Sequence, residues 1–392
     1  MRILISHDYY QQSGGEDRSF EGEAALLQER GHEIVRFTMH NDDINRMSRC
    51  RLVRSTFWNS EVYNRLAALV RSHRIEVAHF HNTFPLISPS AYAAARSGGA
   101  AVVQTLHNFR LLCLNALLYR NGNICEQCLT RAVKLPGVLR RCYRQSLPGS
   151  GVVAMLLAVH QSLGTWNRAI DSYVAPSTFA RRMLIRGGMP QEKIDVVPNS
   201  LPFDPGAGSG AGGYAVFVGR LSQEKGLGTL LAAWRGHSRL PPLKIIGDGP
   251  LAPVVRNACT AGRIEWLGRR AADEVYRIMG NAAAVIFPSE CYETFGRVAV
   301  EAFAVGTPVI ASDRGAMAEL IAHGRTGRLF RTGDPDHLAA QFQDLLTDGR
   351  ALAQMRAECR QEFLRHYTAD RNHEKLIAVY RRAIAARTGG GA

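Results

Sequence analysis

Short aliphatic runs recur along the chain, each bounded by glycine or polar residues. Between them lie segments in which apolar positions return every three or four residues. Uninterrupted apolar runs of strand length read as buried strands, and the 3.6-residue period reads as helices packed over them, so the pattern is that of an α/β protein. In the first half the predicted strands are Arg2–Ser6, Glu33–Phe37, Val77–Phe80, Ala101–Leu106, Ser172–Ala175 and Ile194–Val197, with a helix over Glu21–Arg30 that Gly31 stops. Periodicity vanishes in PFDPGAGSGAGG, Pro202–Gly213, which reads as an interdomain linker. A second series follows: Tyr214–Val218, Leu243–Ile246, Ile264–Trp266, Ala284–Phe287 and Val309–Ala311. The expected organisation is two Rossmann-like βαβ domains, residues 1–199 and 214–365, facing across a cleft at the strand C-terminal ends and joined by residues 200–213. The charged helical tail from Leu352 to Ala386 suggests that residues 366–392 cross back to brace the first domain.

Composition narrows the class. A chain of 392 residues with 46% hydrophobic residues suits two domains of about 200 residues. No apolar stretch reaches the length of a membrane span, and MRILISHDYY reads as a core strand rather than a signal peptide, so a cytoplasmic location is expected. The net charge is +14, and eleven Arg and Lys face only Glu126 and Asp171 between Arg110 and Arg186. Such a stretch suits a phosphate-rich substrate, an anionic membrane face, nucleic acid, or simply solubility. A nucleic-acid binder would interleave stacking aromatics. Tyr119, Tyr143, Trp166, Tyr173 and Phe179 are scattered instead, so no nucleic-acid partner is expected.

The chemistry concentrates in the second half. After YAVFVG come Arg220 and then Lys225-Gly226, opening a helix. A strand-to-helix joint aims free N–H groups at one point, and two cations there complete an anion site; a solvated helix start is the plainer reading. Gly247-Asp248-Gly249-Pro250 follows LKII and reads as a tight turn or as a close backbone approach to a ligand. In CYETFGRVAVE, Cys291–Glu301, two acids flank Gly296. If helical throughout, Glu293 and Glu301 are about 12 Å apart along the axis at about 1.5 Å per residue. That exceeds the about 5–9.5 Å of a glycosidase pair, so each acid is expected to grip a different part of one long ligand, through vicinal hydroxyls. Glu301 sits among Val298, Val300, Ala302 and Phe303, where an unpaired acid is costly.

Together, Gly219-Arg220-Leu221, Lys225-Gly226, Pro288-Ser289, Glu293-Thr294-Phe295-Gly296, Glu301-Ala302, Gly306-Thr307-Pro308-Val309 and Gly327-Arg328-Leu329-Phe330 resemble glycosyltransferase family 4 over Tyr214–Asp334. The resemblance implies a GT-B fold and a retaining transferase with a nucleotide-sugar donor. By that carry-over, Arg220 and Lys225 bind the diphosphate, Glu293 the transferred sugar and Glu301 the ribose. Gly247 and the backbone at Phe295 and Gly296 approach the donor. One departure is Arg314-Gly315-Ala316-Met317, where the family often has a Gly-Gly pair. Other GT-B enzymes, a nucleotide-sugar epimerase or a phosphorylase, are the alternative; no cofactor lysine of the phosphorylase kind is evident. With no convincing nucleophile, front-face displacement is expected. No Asp-x-Asp motif is suitably placed, so no catalytic metal is expected.

In the first half, Ser13-Gly14-Gly15 resembles the family's glycine-rich loop at the donor diphosphate, although a plain turn is the simpler reading. His79, His81 and Asn82 close one strand, and His107 and Asn108 another. His79 reads equally as a core residue. His107 resembles the family's histidine at the donor sugar, with His81, Asn82 and Asn108 on the acceptor side. Cys113, Cys125, Cys128 and Cys142 fall in an insert, residues 111–146, that resembles a subset of the family; they read as a structural zinc site or as reduced thiols. VVAMLLAV, Val152–Val159, lies near Arg140, Arg141, Arg144 and Arg168 and reads as a core helix or as one lying on an anionic membrane. The membrane reading implies a lipid-linked saccharide acceptor and a place in surface polysaccharide assembly.

Overall fold

A computed structural model describes residues 1–12, 14–259 and 262–389. Ser13 lies outside the described residues. The chain forms two compact units. The first comprises Met1–Leu118, Glu126–Pro202 and the segment from Ala369, and the second comprises Tyr119–Cys125 and Phe203–Thr368.

The first unit holds a six-stranded parallel sheet built from β1 (Arg2–Tyr9), β2 (Glu33–His40), β3 (Val77–Phe80), β4 (Ala101–Thr105), β7 (Ser172–Ala175) and β8 (Ile194–Val196), in the order β2-β1-β3-β4-β7-β8. Between β4 and β7 the chain makes a short antiparallel pair, β5 (Tyr119–Arg120) and β6 (Asn123–Ile124), that belongs to the second unit. Ile3, Ile5, Val77 and Val103 point from the sheet into one core with Phe20 and Leu27, and Leu376, Ile377, Tyr380 and Ala383 of the last helix, Ala369–Gly389, join it. That helix starts after a break at Tyr367-Thr368. Its apolar stripe is part of the first core, which gives the tail its place in the fold.

The second unit holds another six-stranded parallel sheet, of β9 (Ala215–Val218), β10 (Leu243–Ile246), β11 (Ile264–Gly268), β12 (Ala284–Phe287), β13 (Val309–Ser312) and β14 (Gly327–Phe330), in the order β11-β10-β9-β12-β13-β14. β14 is absent from the predicted strands because Arg328 interrupts its apolar run. The expected linker is also only partly one. Residues 203–213 are fastened to the second unit: Gly208, Gly210 and Gly212 donate backbone N–H groups to Val305, Gly280 and Asn281, each at 2.9 Å. Arg356 bonds the Gly208 and Gly280 carbonyls, each at 2.9 Å. The glycine richness of this stretch serves a docked backbone.

Candidate active site

In an open parallel sheet, ligands bind beyond the strand C-terminal ends where the strand order reverses. In the second unit that point lies between β9 and β12. The chain leaving β9 turns once over Gln223–Lys225, passes through Gly226 with φ +70°, and enters the helix Leu227–Gly236. The chain leaving β12 carries Ser289, Glu290 and Glu293 before the helix Arg297–Ala304. The two loops are joined by charge. Lys225 Nζ donates to Glu293 Oε1 at 2.6 Å, and Ser289 Oγ donates to the same oxygen at 2.7 Å. Burial pushes the Lys225 ammonium down, and the facing Glu293 carboxylate outweighs it, leaving it well above its ordinary range. Burial pushes the Glu293 carboxyl up, and Lys225 outweighs it, holding it below the ordinary carboxylate range. The pair is therefore ionised at neutral pH.

Two helices start here without a side-chain cap, at Gly226 and Gly296. Ser48, Asn59, Ser146, Ser177, Asp334 and Asp348 cap their helices, whereas the helices after Pro89, Leu251 and Ala271 also start without a side-chain cap. An uncapped helix start presents N–H groups with no intrahelical partner and a positive dipole end, the chemistry that receives an anion. Gly296 has φ +103°, and a Cβ there would strike Met317 Cε at 2.0 Å, so the turn into the second helix requires glycine.

Several expected donor residues have partners within the protein. Glu301 is 5% exposed and forms an ion pair with Arg297 at 3.1 Å, so the costly unpaired acid of the sequence reading has a partner one turn away. Glu293 lies in the loop before the helix, so the all-helical spacing to Glu301 does not apply. Gly247 has φ +135° and its Cα lies against the Gly219 carbonyl, which favours the tight-turn reading. The Phe295 ring is buried against Tyr367, which leaves only its backbone for a ligand. At the family departure, the Ala316 N–H bonds the Glu293 carbonyl at 3.2 Å and holds that loop. Arg220 is exposed. Glu290, which the sequence reading passed over, accepts from Thr229 Oγ1 and from Tyr119 OH, both at 2.9 Å, and so ties the β5–β6 pair to the loop after β12.

In the first unit the strand order reverses between β1 and β3. At the end of β1, His7 Nε2 meets Asp17 at 2.7 Å, and Asp17 also accepts from the Gly14 N–H at 2.8 Å. Among the described residues, no atom beyond the chain neighbours lies within 4 Å of a Cβ placed at Gly14 or Gly15, so packing against them does not account for glycine at either position. Asn82 donates to the Asp8 and Phe84 carbonyls at 2.7 and 3.2 Å and acts as a loop clamp. Asn108 donates to Glu16 at 2.8 Å, and burial raises the Glu16 carboxyl. His107 and His81 are joined ring to ring at 2.8 Å and line a cavity with Gln104, Arg110, Leu156 and Leu157. Gln104 is 6% exposed, and its Oε1 has no partner among the described residues. Leu156 and Leu157 come from the helix Leu147–Ser162. Its opposite side leaves Met155, Val159 and Leu163 exposed at 61%, 37% and 64%, four residues apart.

Cys113, Cys125, Cys128 and Cys142 form no disulfide among the described residues. Among the described residues only Glu23, His79 and His81 bring three ligand atoms within 4.8 Å of one another. Cys113 Sγ donates to Asn115 at 3.0 Å and Cys128 Sγ faces the Lys134 carbonyl at 3.9 Å. The buried Lys134 ammonium, which donates to the Cys128 carbonyl at 2.8 Å, supplies a positive charge beside Cys128 and Cys113.

Two family descriptions match successive parts of the chain: "Glycosyltransferase Family 4" over residues 13–204 and "Glycosyl transferases group 1" over residues 212–348. The chain belongs to the glycosyltransferases of GT-B architecture. An uncharacterized glycosyltransferase of Methanocaldococcus jannaschii is 33% identical over 138 residues, 34% of this chain and 38% of that protein. Sulfoquinovosyl transferase of Arabidopsis thaliana is 26% identical over 355 residues, 86% of this chain and 64% of that protein. The chain thus spans less than two thirds of these relatives. Among solved structures, Anabaena HepE in complex with UDP has a TM-score of 0.68 at 18% identity, covering 96% of this chain and 99% of that one.

Proposed function

We propose that this chain transfers a sugar, with retention of configuration, from a nucleotide-sugar donor to a hydroxyl of a lipid-linked saccharide in surface polysaccharide assembly. The observation that carries the reading is the partly buried Lys225–Glu293 pair beside two uncapped helix starts at the β9/β12 switch point. These groups supply an ammonium and oriented N–H donors for a diphosphate and an ionised carboxylate for sugar hydroxyls, with Arg220 as a second cation. HepE binds UDP, as its description states, which supports a nucleoside diphosphate as the ligand of this site. Glu293 is occupied by Lys225 and Ser289, which suits a binding role better than that of a nucleophile. The leaving diphosphate is then stabilised by preorganised donors, and its own oxygen takes the acceptor's proton.

Thermal-shift measurements with UDP-, GDP- and ADP-sugars test the reading. A ligand bound only by the folded state stabilises it by about 2.7 kcal/mol at a hundredfold excess over Kd. One nucleotide class is expected to raise Tm, and the same donor is expected to hydrolyse slowly to nucleoside diphosphate without acceptor. Epimerised donor with no nucleotide release would point to an epimerase instead.

The acceptor side rests on the helix Leu147–Ser162, which lines the first unit's cavity with one face and exposes an apolar stripe with the other. Arg140, Arg141 and Arg144 are exposed just before it. An apolar stripe flanked by arginines suits an anionic bilayer surface. No helix among the described residues is long and apolar enough to cross a membrane. The variant Met155→Ser/Val159→Ser/Leu163→Ser is expected to lose about tenfold or more in cosedimentation with phosphatidylglycerol vesicles. Its turnover of a water-soluble acceptor analogue should be preserved. Unchanged vesicle binding would remove the membrane from the proposal.

A further inference from the structure

Glu290 follows Ser289 and precedes Glu293 by three residues, and it is bonded from four other parts of the second unit. Its N–H donates to the Glu224 carbonyl, in the turn after β9, at 2.9 Å. Its carbonyl accepts from Arg314 Nη1, just beyond β13, at 2.8 Å. Its Oε1 accepts from Thr229 Oγ1, in the first turn of the helix Leu227–Gly236, and its Oε2 accepts from Tyr119 OH, both at 2.9 Å. Tyr119 and Thr229 are buried. Tyr119 opens the β5–β6 hairpin, whose turn is Asn121-Gly122 with φ +50° and +80°, the two left-handed residues that a tight hairpin turn needs. A lone hairpin is marginally stable at best in water, so this one depends on what it rests against. It rests against both loops of the site. Tyr119 meets the loop after β12, and a Cβ added at Gly122 would lie 3.9 Å from Gln223 Nε2, in the turn after β9.

We propose that Glu290 is a positioning residue of the donor site, and that the hairpin Tyr119–Cys125 acts on the site through it. Tyr119 OH and Thr229 Oγ1 hold the loop after β12 where Ser289 and Glu293 meet Lys225. A carboxyl group beside a diphosphate repels it when its oxygens face the ligand. Here each oxygen is engaged by a hydroxyl of the protein, which suits a group that holds the loop rather than one that binds the donor. Glu224 and Thr229 flank Lys225 in sequence, so Glu290 joins the two loops a second time, independently of the Lys225–Glu293 pair. Neighbouring Cα atoms are about 3.8 Å apart, so any shift of residue 290 is passed to Ser289. Short charge-assisted bonds such as the 2.6 Å contact of Lys225 with Glu293 depend on that placement.

The inference rests on the transferase reading, and its test separates the two. Calorimetric titration of the full chain with UDP, GDP and ADP finds the diphosphate that binds, and that nucleotide is the probe for the variants. Tyr119→Phe and Thr229→Val are each expected to weaken its binding about tenfold, with Tm lowered by no more than about 4 °C. Glu290→Ala is expected to weaken it about a hundredfold, and adding Tyr119→Phe to that variant should change nothing further, because both act through one carboxyl group. Glu290→Gln should keep most of the affinity, since an amide accepts from one hydroxyl and donates to the other. Wild-type affinity in Tyr119→Phe overturns the inference and leaves the transferase reading standing. Full additivity of Tyr119→Phe with Glu290→Ala overturns it as well, since the tyrosine then acts elsewhere. A lowered Tm with unchanged affinity would give the hairpin a merely structural part and end the proposal. Should Glu290→Ala fail to fold, the Tyr119→Phe and Thr229→Val titrations decide. Binding of none of the three nucleotides by the wild-type chain removes the transferase reading, and the inference with it.

Discussion

Lys225→Ala and Glu293→Ala are each expected to reduce sugar transfer by at least about 10³-fold while leaving the fold intact. Loss of one preorganised stabilising group costs about 10²–10³ in kcat, and here each substitution also strands its partner. Without Lys225, Glu293 faces the site as an uncompensated anion and repels a diphosphate. Without Glu293, Lys225 loses the acid that aims it. Breaking a buried pair from one side costs about 3–5 kcal/mol. The side-chain exposures of 28% and 15% place this pair toward the lower end. Circular dichroism should therefore remain native, and release of nucleoside diphosphate from labelled donor reports the loss. Wild-type turnover by either variant would remove that residue from the site. The pair also sets a pH window. Glu293 is held low, so its contribution is complete above its unfolded value of 4.5 and fades as pH falls through the folded value. Lys225 is held high, so its contribution is complete below 10.5 and fades as pH rises through the folded value. The Tm difference between wild type and Lys225→Met/Glu293→Gln should be flat between about pH 5 and 10 and should shift at both ends.

How much of this was legible in the sequence depends on how local each cause is. Strand runs such as Val77–Phe80 and Ala284–Phe287 declare themselves because both faces of a parallel sheet are buried, and their bounds match the structure. β14 escapes because an arginine sits within it, and the β5–β6 pair because two residues per strand leave no period to read. The motif acids were visible, but their partners were visible only at helical spacing. Arg297 and Glu301 are four apart and could have been paired from the sequence. Lys225 and Glu293 are 68 positions apart, and Glu23 and His81 are 58 apart, so only the fold brings them together. The cysteines show another non-local cause: four thiols close in sequence suggested one ion, and the fold places a buried lysine near two of them.

Gly226→Ala is expected to be the most disruptive single-methyl change in the second unit. Gly226 holds φ +70°, where a side chain costs about 1–2 kcal/mol. Its added Cβ would lie 1.8 Å from the Pro288 carbonyl oxygen, a backbone atom in the loop after β12. That contact is the seam along which the Lys225 loop meets the Ser289–Glu293 loop, so relief requires the two to part. Overpacking of this kind adds about 1–3 kcal/mol, for about 2–5 kcal/mol in all. Moving the loops apart lengthens the 2.6 Å Lys225–Glu293 contact and turns the uncapped helix start away from its ligand, so donor binding should be lost along with Tm. Gly14→Ala provides the contrast. Its φ of −132° is open to any residue, and among the described residues no atom beyond the chain neighbours lies within 4 Å of the new methyl, so Tm should be unchanged. If a diphosphate passes close to that backbone, donor KM rises in Gly14→Ala with stability intact. If KM stays at the wild-type value, the glycine-rich loop has no part in donor binding, and the anion site is confined to the loops after β9 and β12.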